Sequence, residues 1–349
     1  MRAPLLIIAS FLALPLVAAE AAERLAGDTP VVALGRGAGD RLTLPAPKPG
    51  RVRPLVVVVG ENQGAEVTDF IIPYGVLKDS GVADVRSLST GEGPVRLRMA
   101  LTIRADQTLA QFDQAEPAGA DIVIVPAQVE PRDRRLTVWV KRQADRGATI
   151  VAICEGARVV ANAGLFHGRH ATTHWHALKA LEKAYPATTW VRDRRYVQDG
   201  PVISTTGVTA SIPVSLALVE AIGGSAAARA TARRLGVEDW SAVHRTADFH
   251  LSRTDYARAI AALAAVWSHE TVEAPVAEGF DEVALALRTD VWGRSFRARV
   301  VTTRAGRSPV RSRHSLTLLP DAEPEAGRFQ IPGGAGPAAS QLDQALAAM

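Results

Sequence analysis

Four short apolar runs constrain this chain most: PLVVVVG (54–60), DIVIVPA (121–127), ATIVAIC (148–154) and PVISTTG (201–207). Continuous apolar runs of this kind fit strands covered on both faces of a parallel sheet. Between and after them lie helical patterns: FIIPYGVLKDSG, TLAQFDQA, LTVWVKRQADRG, GARVVANAGLF, HALKALEKAY and SIPVSLALVEAIGG. Strand and helix alternate, which predicts an α/β fold with a doubly wound, mostly parallel sheet, a flavodoxin-like three-layer sandwich. Asp199-Gly200 is a tight-turn signal and predicts a hairpin.

This unit is expected over residues 53–224. Residues 225–270 (SAAARATARRLGV and TDYARAIAALAAVWSHE) read as an Ala/Arg-rich helical extension. From about 276 the chain reads as strand and loop again. Residues 271–349 also carry a partial repeat. GEGPVRLRMALTIRAD (91–106) aligns without gaps to GRSPVRSRHSLTLLPD (306–321), with 8 of 16 positions identical. IVIVPAQ (122–128) has a counterpart in RFQIPGG (328–334). The expectation is a truncated repeat of the first half of the α/β unit.

At the other end, MRAPLLIIASFLALPLVAAEAAERLAG has a basic start at Arg2, an uncharged apolar stretch and small residues suited to cleavage. Residues 1–21 therefore read as a secretory signal peptide and the mature chain as periplasmic or secreted. An uncleaved segment would serve as a membrane anchor. Residues 22–52, rich in Gly and Pro, read as a linker or extended arm. The net charge of +4 comes without a dense basic block, which gives no support to nucleic-acid binding. A lone cysteine cannot form an internal disulfide.

That cysteine stands in Ala152-Ile-Cys154-Glu-Gly156, the small-x-nucleophile-x-small form of a strand-to-helix elbow. The elbow exposes a thiol at the carboxyl end of a sheet and at a helix N-terminus, where the dipole favours thiolate. The bland reading is a small buried side chain.

These residues resemble the ThiJ/PfpI family of the class I glutamine amidotransferase-like superfamily, nearest to the amidase-like domain of AraC-type regulators and to isonitrile hydratases. The resemblance covers roughly residues 54–224 and rests on AICEGARVVANAGLFHGRHATTHW, TTGVTASIPVSLALVEAIGG and GAEVTDFIIPYGVL. It implies Cys154 as the nucleophile and Asp69 as the acid that shares a proton with it. It also implies His174 as an assisting base and the backbone N–H of Glu155 as an oxyanion donor. For Asp69 the bland reading is a helix N-cap; for His174 it is a structural side chain at a strand end. Four histidines, His167, His170, His174 and His176, crowd this block, but their spacing fits no zinc pattern, so neither a metal nor any cofactor is expected.

Two departures bear on activity. Glu155 follows the cysteine where relatives often carry His or Thr, and a second carboxylate opposes thiolate unless a cation matches it. Pro126-Ala127-Gln128 stands where the family usually has Pro-Gly-Gly, whose N–H groups help form the oxyanion site. The expected partner is a small molecule, acted on by amidase-, hydratase- or glyoxalase-like chemistry. The alternative is a non-catalytic ligand- or redox-sensing module. A DNA-binding regulator is disfavoured, because no pair of helix-turn-helix units is evident after the α/β unit. A homodimer is compatible with the sequence.

Overall fold

In a computed structural model, the structure describes residues 41–249, 253–264, 269–334 and 336–347. The signal segment, 1–21, and much of the arm lie outside the described residues. The chain runs β1 (Leu55–Gly60), β2 (Ala65–Glu66), α1 (Val67–Ser80), β3 (Asp84–Ser89), β4 (Val95–Arg98), β5 (Leu101–Arg104), β6 (Gln107–Thr108) and α2 (Leu109–Ala115). It continues through β7 (Ile122–Val125), α3 (Arg134–Asp145), β8 (Thr149–Ala152), α4 (Gly156–Asn162), β9 (His170–Ala171), α5 (Trp175–Ala184), β10 (Thr189–Trp190), β11 (Tyr196–Asp199), β12 (Val202–Thr205) and α6 (Val208–Leu235). Beyond α6 come α7 (Arg253–Ala264), β13 (Glu270–Pro275), α8 (Glu282–Arg294), β14 (Ala298–Thr303), β15 (Val310–Arg311), β16 (Thr317–Leu318) and α9 (Ala338–Ala347).

The fold is α/β with a mostly parallel sheet and a C-terminal extension. The main sheet has the order β11-β12-β8-β7-β1-β3-β6, and only the β11–β12 hairpin is antiparallel within it. Its apolar runs are buried because both faces are covered. Val56 and Val58 of β1 face one core, with residues of α1 and α6; Leu55, Val57 and Val59 face the other, with residues of α2 to α5. Each such side chain contributes about 1.5–3 kcal/mol on burial. The arm is docked where it is described: Arg51 pairs with Asp121 at 2.8 Å and Glu116 at 2.9 Å, and Lys48 Nζ bonds the Ala118 and Ala120 carbonyls.

α6 is broken at Gly224 (φ 80°, ψ 170°), where the α/β unit was expected to end. The expectation of strand and loop after 276 is corrected: Glu282–Arg294 forms helix α8 and Ala338–Ala347 forms α9. α8 packs against both α1 and α9, and nearly all of its residues are buried. A helix covered on nearly all sides has no polar stripe, and so no helical period to read. A second sheet of five strands, β15-β16-β5-β4-β2, joins the extension to the α/β unit.

Candidate active site

Strand β8 delivers Cys154 just past its carboxyl end, and α4 begins two residues later. Between them the backbone of Cys154 takes φ 56°, in the left-handed region. For a residue with a Cβ this costs about 1–2 kcal/mol, so surrounding bonds must impose it. The Cys154 N–H donates to Thr205 Oγ1 at 3.2 Å, and Thr173 Oγ1 donates to the Cys154 carbonyl at 3.0 Å. Gly156 lets the elbow close: a Cβ there would lie 2.0 Å from the Val125 carbonyl oxygen.

Asp69 is fully buried in the first turn of α1. It is not the helix cap. Glu66 caps α1 instead, with Oε2 accepting from the Asp69 N–H at 2.6 Å and the Thr68 hydroxyl at 2.8 Å. The longer Glu66 side chain takes that role, and the Asp69 carboxyl is left to face inward. There it accepts from the Ala127 N–H (3.2 Å) and the Ser211 hydroxyl (3.3 Å). Burial, with the adjacent Glu66, pushes the Asp69 carboxyl well above its ordinary range, which favours its protonated form.

His174 precedes α5 and is buried. A Cβ on Gly207 would lie 2.8 Å from His174 Cδ2 and 3.8 Å from Cys154 Sγ, so a glycine there allows both side chains to approach one point. Burial, with His176 and nearby arginines, lowers the His174 pKa to about 3, and the ring is neutral at neutral pH. The sign for stability follows from linkage. Between about 6.5 and about 3 the unfolded chain binds a proton that the native chain refuses, so this residue makes stability fall as pH falls through that window. His174→Gln is expected to flatten the slope, read as denaturation midpoints across that range.

Glu155 is matched by a cation, with its Oε2 2.6 Å from Arg158 Nε, while Oε1 lies 4.0 Å from His174 Nδ1. The Glu155 backbone N–H favours thiolate at Cys154. Burial opposes thiolate more strongly, followed by the carboxyl groups of Asp69, Glu155 and Glu66, and the thiol pKa is raised well above its ordinary value. Gln128 braces the loop from its side chain: it accepts from the Glu61 N–H at 2.8 Å and donates to the Val59 and Pro126 carbonyls at 3.0 Å. The other three crowded histidines do not join His174 at a ligand cluster. His170 bonds Asp199 in an exposed position, and no group of three metal-ligating side chains occurs among the described residues.

The structure thus brings Cys154, Asp69, His174 and the Glu155 N–H together. Sequence reasoning missed the layer beneath them. Arg294, at the end of α8, places Nη2 2.5 Å from Glu66 Oε1, and its Nε lies 2.7 Å from both oxygens of Asp290. Glu66 carried a legible signal, an acid three residues before Asp69 at the start of a helix. Arg294 carried none, being 228 residues from Glu66.

Residues 55–221 match the DJ-1/PfpI family. The chain is 33% identical over 135 residues to the HTH-type transcriptional regulator CdhR of Pseudomonas aeruginosa, covering 38% of each chain. It is 34% identical over 110 residues to an isonitrile hydratase of Pseudomonas putida, covering 30% of this chain and 46% of that one. The chain therefore spans less than half the length of these two curated relatives. Among solved structures, a cysteine-to-alanine mutant of a DJ-1 superfamily protein from Salmonella typhimurium is 25% identical, with a TM-score of 0.47, over 53% of this chain and 100% of that one.

Proposed function

The chain belongs to the DJ-1/PfpI family, and from that premise we propose that Cys154 attacks a small electrophilic molecule, in amidase-, hydratase- or glyoxalase-like chemistry. The observation that carries this reading is the left-handed backbone at Cys154. Strain of that kind persists where the surroundings over-determine it, and it clusters at reacting groups. For a carbonyl substrate, the thiol proton passes to neutral His174 as the sulfur–carbon bond forms. The carbonyl π pair moves to oxygen, with the Glu155 N–H beside it. The oxygen then takes a proton from Asp69 or from His174, and the adduct is neutral.

A second reading, a ligand- or redox-sensing module without turnover, is favoured by a separate observation. The Ala127 N–H, in the place of a family oxyanion donor, is engaged by Asp69, and Cys154 is only 5% exposed. Turnover assays with amides, isonitriles and methylglyoxal, run beside Cys154→Ala, separate the two. Turnover lost in Cys154→Ala supports catalysis; no turnover, with Cys154 still modified by an electrophile, supports the sensor. A Cys154 that no electrophile modifies at any pH would sink both readings.

Glu155 sets the resting state of the thiol in either reading. Glu155→Thr is expected to lower the Cys154 pKa, because it removes a nearby negative charge. A shift of one unit corresponds to about 1.4 kcal/mol. Alkylation rate against pH reads it, and an unchanged profile would place the Glu155 side chain outside the site's electrostatics.

The chain is also proposed to be exported, on the pattern of residues 1–21. N-terminal sequencing of periplasmic protein is expected to begin near Glu20 or Ala22. An intact Met1 in a soluble cytoplasmic pool would overturn export.

A further inference from the structure

The extension meets the α/β unit through contacts that recur at one spacing. Ile103 of β5 pairs antiparallel with Leu318 of β16, 215 residues later, and the Leu319 N–H bonds the Thr102 carbonyl. The same spacing relates internal features of the two parts. Ala65 pairs with Leu97, and Phe280 with Ser312, each in parallel. Asp106 Oδ2 accepts from the N–H and hydroxyl of Ser87; Asp321 Oδ2 accepts from the N–H and hydroxyl of Thr302. Glu66 caps α1 on the Asp69 N–H, and Asp281 caps α8 on the Ala284 N–H. Val58 pairs in parallel with Ile124 of β7, and Glu273, 215 residues after Val58, pairs in parallel with Gln330, which lies 206 residues after Ile124.

A strand that pairs antiparallel with its own counterpart, at equivalent residues, is related to it by a two-fold rotation. That is the geometry of a self-complementary contact between two copies. α1 and α8, at the same spacing, pack on each other closely enough that a Cβ on Gly75 would lie 2.5 Å from Val283. The residues from 270 onward thus stand where a second copy of this chain would dock.

The two copies are not equivalent at the site. Arg294 corresponds to Asp79, so the cation occurs on one side only. It enters a cluster of three buried carboxyl groups, Asp290, Glu66 and Asp69. Arg294 also lies within electrostatic reach of the Cys154 sulfur, and its buried Nη1 has no hydrogen-bond partner among the described residues.

We infer that the C-terminal half-copy lends Arg294 to the Cys154 site, as a positioning residue that fixes Glu66 and, through the cap of α1, the Asp69 carboxyl. The inference rests on the reading of Cys154 as the reacting group. Glu66 neutralised by Arg294 weighs less on Asp69 and on the thiol; Glu66 left alone drives both pKa values upward.

Cys154 is the only cysteine in the chain, so the ultraviolet absorbance of thiolate titrates it directly in the full-length protein, whether or not it reacts. Arg294→Gln is expected to raise the thiol pKa by at least about one unit, a tenfold change in thiolate fraction below it. Arg294→Lys is expected to return most of that shift. Asp290→Asn removes the competing partner of Arg294 and is expected to move the thiol pKa downward, which keeps the test decisive if Arg294→Gln does not fold. Curves superimposing on the unaltered protein for Asp290→Asn and for whichever arginine variants fold would overturn the inference. Failure of Cys154 to react, with these shifts present, would instead overturn only the proposed chemistry.

Discussion

Arg294→Gln is expected to lower folding stability by about 3–5 kcal/mol, the usual cost of removing one partner from a buried ion pair. Arg294 is 2% exposed and bridges Asp290 and Glu66, so its loss leaves two carboxyl groups buried without their cation. Total stability for such a domain is about 5–15 kcal/mol, so the variant sits near the edge of folding at ordinary temperature. Urea denaturation of the full chain measures the loss. A change below about 1 kcal/mol would show that the guanidinium acts like a surface charge and that the junction of α1 with α8 is looser than described.

Gly156→Ala is expected to be costly for a different reason. The added carbon would meet the Val125 carbonyl oxygen at 2.0 Å and the backbone of Pro126 at 2.9 Å. Those are main-chain atoms of β7 and its following loop, which cannot rotate away as a side chain would. Overpacking of this kind costs about 1–3 kcal/mol, and a backbone clash belongs at the upper end. The elbow must open, which shifts the Cys154 sulfur relative to Gly207 and His174. Denaturation midpoints and the alkylation rate of Cys154 are both expected to change. Retention of both would mean that the α4 terminus can withdraw from β7 without disturbing the thiol, and the close-packed elbow would not be what positions Cys154.

The main sheet was legible where its strands carry apolar side chains to both cores. β1, β7, β8 and β12 were read from continuous runs, because a strand covered on both faces must be apolar at successive positions. β3 was not, since Arg86, Ser87 and Ser89 interrupt its pattern. Ser87 is buried only because Asp106 receives its hydroxyl and N–H. α8 escaped for the converse reason, having almost no wet face from which a period could show.

The sequence by itself determined the strand-to-helix elbow at Cys154. Small residues flanking a cysteine between an apolar run and a helical pattern are a local requirement of backbone closure, and local requirements are written in adjacent residues. It also placed Asp69 and His174 through the motifs they stand in. Which groups hold the protons was decided by tertiary structure alone. That the Asp69 carboxyl is pushed above its ordinary range and that His174 stays neutral depend on burial and on charges brought from distant elements. A pKa sums the field of every neighbour in space, and Arg294, which reaches Glu66 across 228 residues of chain, has no position in that sum until the chain has folded.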